Sequence, residues 1–310
     1  MPHRIQLGRT GLAVSPVCYG SWQLSPRFWG KQPEEEIVAA VQTAFEVGVN
    51  FYDTADAYGD GYGEELLGRA LAPLPRDQIV LATKVYHHFF PDGHRFGDLS
   101  GAYILEACEA SLKRLKMEYI DLYQCHSWDP LAAPEEVAGA LETLKRQGKI
   151  RAYGTSNWSV EQMRAGEKCG AFASCQPRYS LYKREIEADI LPHCHAEKIG
   201  VLVFSPLERG LLSGKYKGTE TFDDFRREVK DFQGERFQLF CARVTQAGAI
   251  AATYGLTVVQ LVIAATLMHP SIHCAIVGIK RKEQIVEAAG AMGKKISRED
   301  WNKVRTLLTL

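Results

Sequence analysis

The sequence predicts a (β/α)8 TIM barrel with an N-terminal β-hairpin and extended βα loops, formed by a single domain over residues 1–310. Short apolar runs alternate with longer amphipathic runs along the chain, which is typical of a parallel sheet with helices between its strands. The length is one that α/β barrels often reach as one domain, and no low-complexity segment or linker divides the chain. An open, doubly wound sheet produces the same alternation, and periodicity alone does not exclude it.

Short segments with the composition of buried strands recur along the chain. Most are apolar or β-branched, and Gly, Pro or polar residues bound them. Ahead of them, two alternating runs flank a turn that contains Gly8 and Gly11, which predicts a small hairpin. The predicted barrel strands are residues 17–20, 50–54, 79–84, 120–126, 151–156, 174–176, 201–205 and 274–277.

Longer amphipathic runs separate the predicted strands. Several begin with a helix-start signal, such as Pro33 or Pro134 in a first turn, or Ser159 three residues before Gln162. Two connecting segments, residues 86–100 and 213–243, are too long to be simple turns. In a barrel, such long loops build the mouth of the active site. The predicted helices are residues 33–47, 64–71, 104–116, 134–147, 160–169, 185–197 and 246–269.

Composition excludes several classes of function. Lys plus Arg and Asp plus Glu number 37 each, so no global field attracts nucleic acid or an anionic membrane, and any anion site has to be local. The eight cysteines form no C-x-x-C pair, which favours reduced thiols over a disulfide framework. The first residues lack the apolar run of a signal peptide, and no stretch reaches the length of a membrane span. We therefore expect a soluble, cytoplasmic protein.

Four polar side chains lie at or just beyond the ends of predicted strands. Asp53 ends one strand, Tyr58 follows it by five residues, Lys84 ends the next strand and His126 ends another. Catalytic groups of a barrel are assembled at this end of the strands. A lysine that closes an apolar strand is costly to bury unless a carboxylate accompanies it, so Lys84 and Asp53 are expected to pair.

Tyr58 is the candidate general acid. A free phenol has a pKa of about 10, which is too high to protonate an alkoxide readily at neutral pH. A neighbouring ammonium favours the phenolate and lowers that pKa, and Lys84 would supply the ammonium. His126 would bind and orient a carbonyl oxygen. Lys84 as a Schiff-base lysine, and Tyr58 or His126 as packing residues, are the alternatives.

In the order and spacing of its motifs, the chain resembles the aldo-keto reductase superfamily over nearly its whole length. It is most similar to the bacterial and plant members and to the related potassium-channel β subunits. The resemblance implies the barrel, NADPH bound in extended form, and a tetrad of Asp53, Tyr58, Lys84 and His126. The matching motifs are Asp53-Thr-Ala-Asp-Ala-Tyr58-Gly, Ala82-Thr-Lys84, Tyr119-Ile-Asp-Leu-Tyr-Gln-Cys-His126, Gly154-Thr-Ser-Asn157 and Ser205-Pro-Leu-Glu-Arg-Gly210.

The resemblance also assigns residues to the cofactor. Ser156, Asn157 and Gln176 would hold the nicotinamide carboxamide, and Phe204 would stack on the ring. Gly20 and Trp22 are expected to contact the cofactor as well. The positions that match pyrophosphate contacts are Ser205, Leu207, Gly210 and Lys215.

Three consecutive cations, residues 280–282, follow the last predicted strand and precede a helix, whose N-terminus is itself an anion site. In similar proteins this turn holds the 2′-phosphate and adenine, so Lys280 and Arg281 favour NADP over NAD. A solvated cationic face is the alternative. Gln284 and Glu287 match adenosine contacts, whereas Ala288 replaces a common asparagine, which would weaken adenine binding.

Aromatic residues near the strand ends predict a substrate pocket lined by Trp22, Trp29, Tyr86 and Trp128, although Trp29 is as well explained by loop packing. Many similar proteins have Trp-Pro-Asp after the tetrad histidine, whereas residues 127–130 here read Ser-Trp-Asp-Pro. Substrate class therefore cannot be transferred, and neither direction, product stereochemistry nor oligomeric state follows from the sequence.

No metal site is expected. Two histidine pairs, His193 with His195 around Cys194 and His87 with His88, have no third ligand at a suitable spacing, and the first pair is expected on a helix surface.

The leading prediction is an NADPH-dependent carbonyl reductase, or an alcohol dehydrogenase when it runs in reverse, that acts on an aldehyde, ketone or sugar. A redox-sensing accessory subunit that keeps the cofactor but turns over slowly is the second interpretation, with the long loops as a partner surface. A cofactor-free barrel isomerase or aldolase is the third, and it leaves Asn157 and Arg281 unexplained.

Overall fold

The chain begins with an antiparallel hairpin of β1 (Ile5–Gln6) and β2 (Ala13–Val14), as predicted. This hairpin closes the floor of a barrel in the computed structural model, which describes residues 3–90 and 92–309. Leu7 and Leu12 are buried in the same apolar cluster as the side chains that fill the barrel interior. A Cβ on Gly8 would lie 2.2 Å from the backbone nitrogen of Gly200, so only glycine permits this close approach.

Eight parallel strands close into the barrel, which confirms the predicted fold class. Most strand residues are buried, with one face against the interior and the other against the surrounding helices, which explains why the segments are largely apolar. The barrel strands are β3 (Val17–Gly20), β4 (Phe51–Asp53), β5 (Val80–Val85), β8 (Ile120–Cys125), β9 (Ile150–Ser156), β10 (Ser174–Gln176), β11 (Gly200–Phe204) and β12 (Cys274–Gly278), with β12 next to β3; β6 (His87–Phe89) and β7 (Arg95–Gly97) lie outside the barrel.

Helices fill the connections between strands and bury their apolar faces against the barrel. The predicted start signal at Ser159 is confirmed, since its hydroxyl accepts a hydrogen bond from the backbone N–H of Gln162, and Pro134 is the first residue of its helix. The helices are α1 (Pro26–Trp29), α2 (Glu34–Glu46), α3 (Tyr62–Leu71), α4 (Gly101–Leu115), α5 (Pro134–Arg146), α6 (Val160–Glu167), α7 (Ile190–Ala196), α8 (Gly234–Thr253), α9 (Val258–Leu267), α10 (Lys282–Ala289) and α11 (Arg298–Leu307).

Two predicted helices are each divided in the structure. The predicted helix 246–269 is wrong because Gly255, at a φ of 62°, ends α8, and Thr257 caps a new helix, α9. The predicted helix 185–197 separates into a 3-10 turn, Glu185–Glu187, and α7, which Asp189 caps.

Both predicted long loops contain regular structure. Residues 86–100 include the hairpin of β6 and β7, and α8 begins at Gly234, inside the predicted loop 213–243. Within the described residues, no single helix has the length and apolar character to cross a membrane. Only α8 and α9 meet those criteria together, as a pair bent by 82°.

Candidate active site

The barrel register brings the predicted catalytic residues to one rim. Asp53 is the last residue of β4, Lys84 lies one residue before the end of β5, and His126 directly follows β8. Asp53 pairs in register with Ala82, and Lys84 pairs with Gln124. Because these strands are parallel neighbours, their carboxyl ends meet, which is where barrel enzymes assemble their chemistry.

Lys84 and Asp53 form a buried ion pair beneath the rim. The Nζ of Lys84 lies 2.7 Å from Oδ1 of Asp53 and donates a second hydrogen bond, also of 2.7 Å, to the carbonyl of Thr54. Burial alone would lower the pKa of Lys84, but the attraction of Asp53 and Tyr58 raises the pKa above its ordinary value. Lys84 therefore keeps its charge inside the barrel.

Tyr58 lies on the loop between β4 and α3, above this pair. Turn hydrogen bonds fix the loop: the backbone N–H of Tyr58 donates to Ala55, and that of Gly63 donates to the Tyr58 carbonyl. The Nζ of Lys84 lies 5.3 Å from the centroid of the Tyr58 ring. Burial raises the pKa of the Tyr58 hydroxyl, and the ammonium of Lys84 opposes that rise. The predicted influence of Lys84 thus has the expected sign, but the net shift is upward because desolvation is the larger effect.

The His126 ring lies beside the phenol. The two ring centroids are 6.3 Å apart and nearly perpendicular. Burial, reinforced by the charge of Lys84, lowers the pKa of His126 well below 6.5. The imidazole is therefore neutral at physiological pH, and a neutral ring can donate one hydrogen bond and accept another.

A chain of hydrogen bonds links Asp53 and His126 to the three residues predicted to hold the nicotinamide. Nε2 of Gln176 donates to Oδ2 of Asp53 at 2.8 Å, and the Ser156 hydroxyl donates to the Gln176 carbonyl at 2.8 Å. The amide of Asn157 donates to the Ser156 hydroxyl and to the His126 carbonyl. Any group that binds at Asn157 is therefore positioned relative to the same network that positions Asp53 and His126.

A cleft of about 1030 Å³ opens above the rim and follows several strand ends. Tyr58, Asp53 and His126 line it, whereas Lys84 lies below it and is fully buried. All the residues predicted to contact the cofactor line the same cleft: Gly20, Trp22, Ser156, Asn157, Gln176, Phe204, Ser205, Leu207, Gly210, Lys215, Lys280, Arg281, Gln284 and Glu287.

The cleft is strongly cationic beside the end of β12. Burial lowers the pKa of Lys215, and so do the charges of three neighbouring cations. The Oε1 of Gln284 accepts hydrogen bonds from the backbone N–H groups of Lys280 and Arg281, which fixes the turn before α10. The chain as a whole carries no net charge, so an anion site has to be local, and this cluster of cations is such a local concentration of positive charge. The neighbours of Lys215 are Arg226, Lys280 and Arg281.

Several lining residues have strained backbone. Asn157, Ser205 and Arg209 have φ values of 58°, 60° and 58°, a region that non-glycine residues rarely adopt. Such strain persists where the surrounding structure holds a residue in place, and it concentrates at functional sites.

Two of the four predicted pocket aromatics line the cleft. Trp22 and Trp29 contact each other edge to face at 5.3 Å, and the Nζ of Lys280 lies 4.4 Å from the Trp29 ring. Trp29 thus packs within the loops and also lines the cleft.

Tyr86 and Trp128, the other two residues predicted for the pocket, are not among the described residues that line the cleft. The Tyr86 ring covers Gly97, where an added Cβ would lie 2.2 Å from it. Trp128 packs edge to face against Trp158, with the ring centroids 4.7 Å apart.

The sequence prediction missed five basic residues, four arginines and one histidine, that line the cleft. Arg178 pairs with the buried carboxylate of Glu208, and Arg226 pairs with Asp224. These residues lie on loops after the strands, and only their position beyond a strand end could have identified them. The missed residues are His87, Arg95, Arg178, Arg209 and Arg226.

Within the described ranges 3–90 and 92–309, no group of three His, Cys, Asp or Glu side chains has the geometry of a metal site. The expected helix-surface position is confirmed for His195, which is exposed, but is wrong for His193, which is buried beside Cys194 with its Nε2 3.0 Å from Oε1 of Glu167. Ala288 is also fully buried, so no side chain extends from this position into the cleft.

Comparison with known proteins identifies relatives over nearly the whole chain. A model described as "Aldo/keto reductase family" matches residues 16–309. The aldo-keto reductase YhdN of Bacillus subtilis (strain 168) is 36% identical over 303 residues, which cover 96% of this chain and 91% of that protein.

Two solved structures are similar as well. The glycerol dehydrogenase AKR11B4 from Gluconobacter oxydans superposes with a TM-score of 0.91 at 33% identity, over 98% of this chain and 94% of that one. The holo form of the aldo-keto reductase AKR11C1 from Bacillus halodurans superposes with a TM-score of 0.81 at 27% identity, over 99% and 96% of the two chains.

Proposed function

The chain belongs to the aldo/keto reductase family, and we propose that it is an NADPH-dependent reductase in which Tyr58 is the general acid. Membership implies reduction of a carbonyl with a nicotinamide cofactor. The observation that carries the finer proposal is that Tyr58 and His126 line the same cleft as the cationic cluster, with the Lys84–Asp53 pair directly beneath the phenol. An aldehyde, ketone or sugar is the substrate, or the corresponding alcohol in the reverse direction.

In the proposed mechanism, the carbonyl oxygen lies between Tyr58 and His126. The neutral imidazole orients the oxygen by a hydrogen bond, and the Tyr58 hydroxyl donates its proton to that oxygen as negative charge develops on it. The charge of Lys84 stabilises the phenolate that remains, since the ammonium opposes the effect of burial on the Tyr58 pKa. Asp53 keeps Lys84 in place and charged.

The residues present fit NADPH. The cations beside β12 suit the phosphates, with Arg281 and Lys280 at the 2′-phosphate and Lys215 at the pyrophosphate. Asn157 and Gln176 would hold the carboxamide beside the catalytic network, and the Phe204 ring would stack on the nicotinamide. When bound there, the cofactor supplies the hydride, and the protein supplies position and electrostatics.

We also propose that residues 1–310 act as one domain in the cytoplasm. All eight cysteines are free, and most are buried, which agrees with a reducing compartment. Thiol titration of the unfolded protein purified from that compartment should detect all eight as free thiols.

Cofactor titration followed by turnover tests the proposal. We expect NADPH to change the intrinsic fluorescence at lower concentration than NADH, and a panel of aldehydes and ketones to be reduced. Tyr58→Phe should lower kcat by about 10² to 10⁴, the range for loss of a positioned general acid, while NADPH binding is retained. Tyr62→Phe, at the first residue of α3, is a control, because its hydroxyl bonds to the exposed Glu34 outside the cleft.

The outcomes separate the competing functions. Tight NADPH binding without turnover across the panel would favour an accessory or sensing role instead of a reductase. Absence of binding to either cofactor would overturn the proposal, and undiminished turnover in Tyr58→Phe would remove Tyr58 from the mechanism.

A further inference from the structure

The hairpin of β6 and β7 presents a cation to the reacting end of the cleft. Side chains alternate between the two faces of a strand, and directly opposed residues of an antiparallel pair share a face. His87 and Phe89 therefore lie on one face of β6, and Arg95, which pairs with Phe89, lies on the same face of β7. His88 belongs to the opposite face, where its ring stacks on Tyr103 at 4.2 Å.

His87 and Arg95 both line the cleft beside the catalytic candidates. The His87 ring lies 5.7 Å from the His126 ring, in an edge-to-face arrangement. Burial lowers the pKa of His87, and the charge of Arg95 lowers it further. The positive charge of Arg95 therefore acts electrostatically on a residue next to the position proposed for the substrate carbonyl.

Arg95 is held only weakly in the structure. Its Nη1 lies 3.5 Å from Oδ1 of Asp60, whose side chain is 71% exposed. Exposed ion pairs of this kind contribute only about 0–1 kcal/mol, so an incoming anion can replace Asp60 at little cost. A guanidinium also suits a carboxylate or phosphate because it can donate two parallel hydrogen bonds.

The carboxylates that line the described part of the cleft do not neutralise the charge of Arg95. Among the described residues that line the cleft, the acidic side chains are those of Asp53 and Glu287. Asp53 is paired with Lys84, and Glu287 lies on α10, beyond the cationic cluster assigned to the cofactor phosphates.

We propose that Arg95, with His87 beside it, binds an anionic group of the substrate, so that the enzyme prefers carbonyl compounds that carry a carboxylate or a phosphate. The inference rests on the proposed reductase function. Arg95 acts as a specificity-determining residue and takes no part in the proton transfer assigned to Tyr58.

Pairs of substrates that differ in charge test the inference. Succinic semialdehyde is compared with butanal, and glyceraldehyde 3-phosphate with glyceraldehyde, by measuring kcat/KM with NADPH. The wild type should prefer the anionic member of at least one pair. The pair with the larger ratio identifies carboxylate or phosphate as the group that is recognised.

Variants assign the preference to Arg95. Arg95→Gln should lower the ratio of anionic to neutral kcat/KM by roughly 10- to 100-fold, the range for loss of a charge-assisted hydrogen bond. Arg95→Lys should restore part of the ratio, because it keeps the charge but not the two parallel donors. Arg164→Gln, an exposed arginine on α6, is the matched control and should leave the ratio unchanged. Circular dichroism and NADPH titration show that each variant is folded.

Failure of the inference is distinct from failure of the reductase function. The inference fails if the wild type reduces carbonyls but prefers the neutral member of both pairs. It fails also if Arg95→Gln leaves the ratio of anionic to neutral kcat/KM unchanged, because Arg95 then does not bind an anionic group of the substrate. If the wild type reduces no member of either pair or of the wider panel, the reductase proposal itself fails.

Discussion

The Nζ of Lys84 lies 2.7 Å from Oδ1 of Asp53, and both side chains are almost completely buried. Gln176 donates to the second carboxylate oxygen, so both oxygens of Asp53 are engaged. Removing two charges from water costs several kcal/mol per ion, and mutual attraction recovers this only where geometry and additional hydrogen bonds are good. Each charge is therefore tolerated in the interior only while the other is present. The loss of one partner should lower the free energy of unfolding more than the loss of both.

Lys84→Met should destabilise the fold by about 3–5 kcal/mol, because it leaves the Asp53 carboxylate buried without its counter-charge. The measurement is the free energy of unfolding in urea at neutral pH. The double variant Asp53→Asn with Lys84→Met should be more stable than Lys84→Met alone, since no unpaired charge remains. The single variant Asp53→Asn is measured as well. If the loss of unfolding free energy in the double variant equals the sum of the losses in the two single variants, the two charges do not stabilise each other. Lys84→Met and the double variant should both lose turnover.

Stability should fall on mild acidification partly because of His126. Its pKa is well below 6.5 in the folded protein, whereas the unfolded chain takes up the proton near 6.5. The unfolded state thus binds more protons below this pH, so the contribution of His126 is fully present above about 6.5 and is lost as the pH falls, by up to about 1.4 kcal/mol per pH unit.

His126→Gln isolates this contribution. The difference in unfolding free energy between the wild type and the variant should shrink when urea titrations are repeated from pH 7 down to pH 5.5. The other histidines titrate in both proteins and cancel in the difference. A difference that stays constant would mean that folding does not lower the pKa of His126, and one that grows on acidification would mean that folding raises it.

Short buried strands could be predicted closely from the sequence. The predictions 17–20 and 174–176 coincide with β3 and β10, because apolar runs with polar or glycine ends have few other places in a globular protein. The strand β6, His87–Phe89, is not predicted, since its sequence, His-His-Phe, shows no alternation of apolar and polar residues. The break near Gly255 was missed because apolar residues continue on both sides of it.

Some residues of the site could also be placed from the sequence, and others could not. Asp53, Lys84 and His126 could be placed together because they end or directly follow strands, and the barrel aligns all strand ends. Arg95 and Arg226 lie on long loops, where position depends on how the loop packs. Tyr86 and Trp128 also lie near predicted strand ends, but a strand end does not determine where a ring points: Tyr86 covers Gly97 and Trp128 packs against Trp158.

Arg281→Ala should discriminate between the two nicotinamide dinucleotides. Loss of a charge-assisted contact with the 2′-phosphate should weaken NADPH binding by roughly 10- to 100-fold. NADH lacks that phosphate, so its affinity should change much less. Fluorescence titration of both cofactors measures the effect, with Lys294→Ala, an exposed cation after α10, as the control. Equal losses for NADPH and NADH would place Arg281 elsewhere on the cofactor or outside its site.

Two helical glycines should respond in opposite directions to the same substitution. Gly68 is buried in α3, and a Cβ added there would lie 2.3 Å from the carbonyl oxygen of Leu115, at the end of α4. Gly139 is exposed in α5, and nothing lies within 4 Å of its added Cβ. The first glycine permits a close approach between two helices, whereas the second only adds freedom to the unfolded chain.

Gly68→Ala should therefore destabilise the protein by about 1–3 kcal/mol, because α3 or α4 has to move away from a backbone contact. Gly139→Ala should stabilise it by about 0.5–1 kcal/mol, the difference in helix propensity between the two residues. Urea unfolding measures both, and each variant serves as the control for the other. If Gly68→Ala were neutral, the α3–α4 spacing would be adjustable. Tyr58, on the loop that leads into α3, would then depend less on this packing than on the turn hydrogen bonds that anchor it.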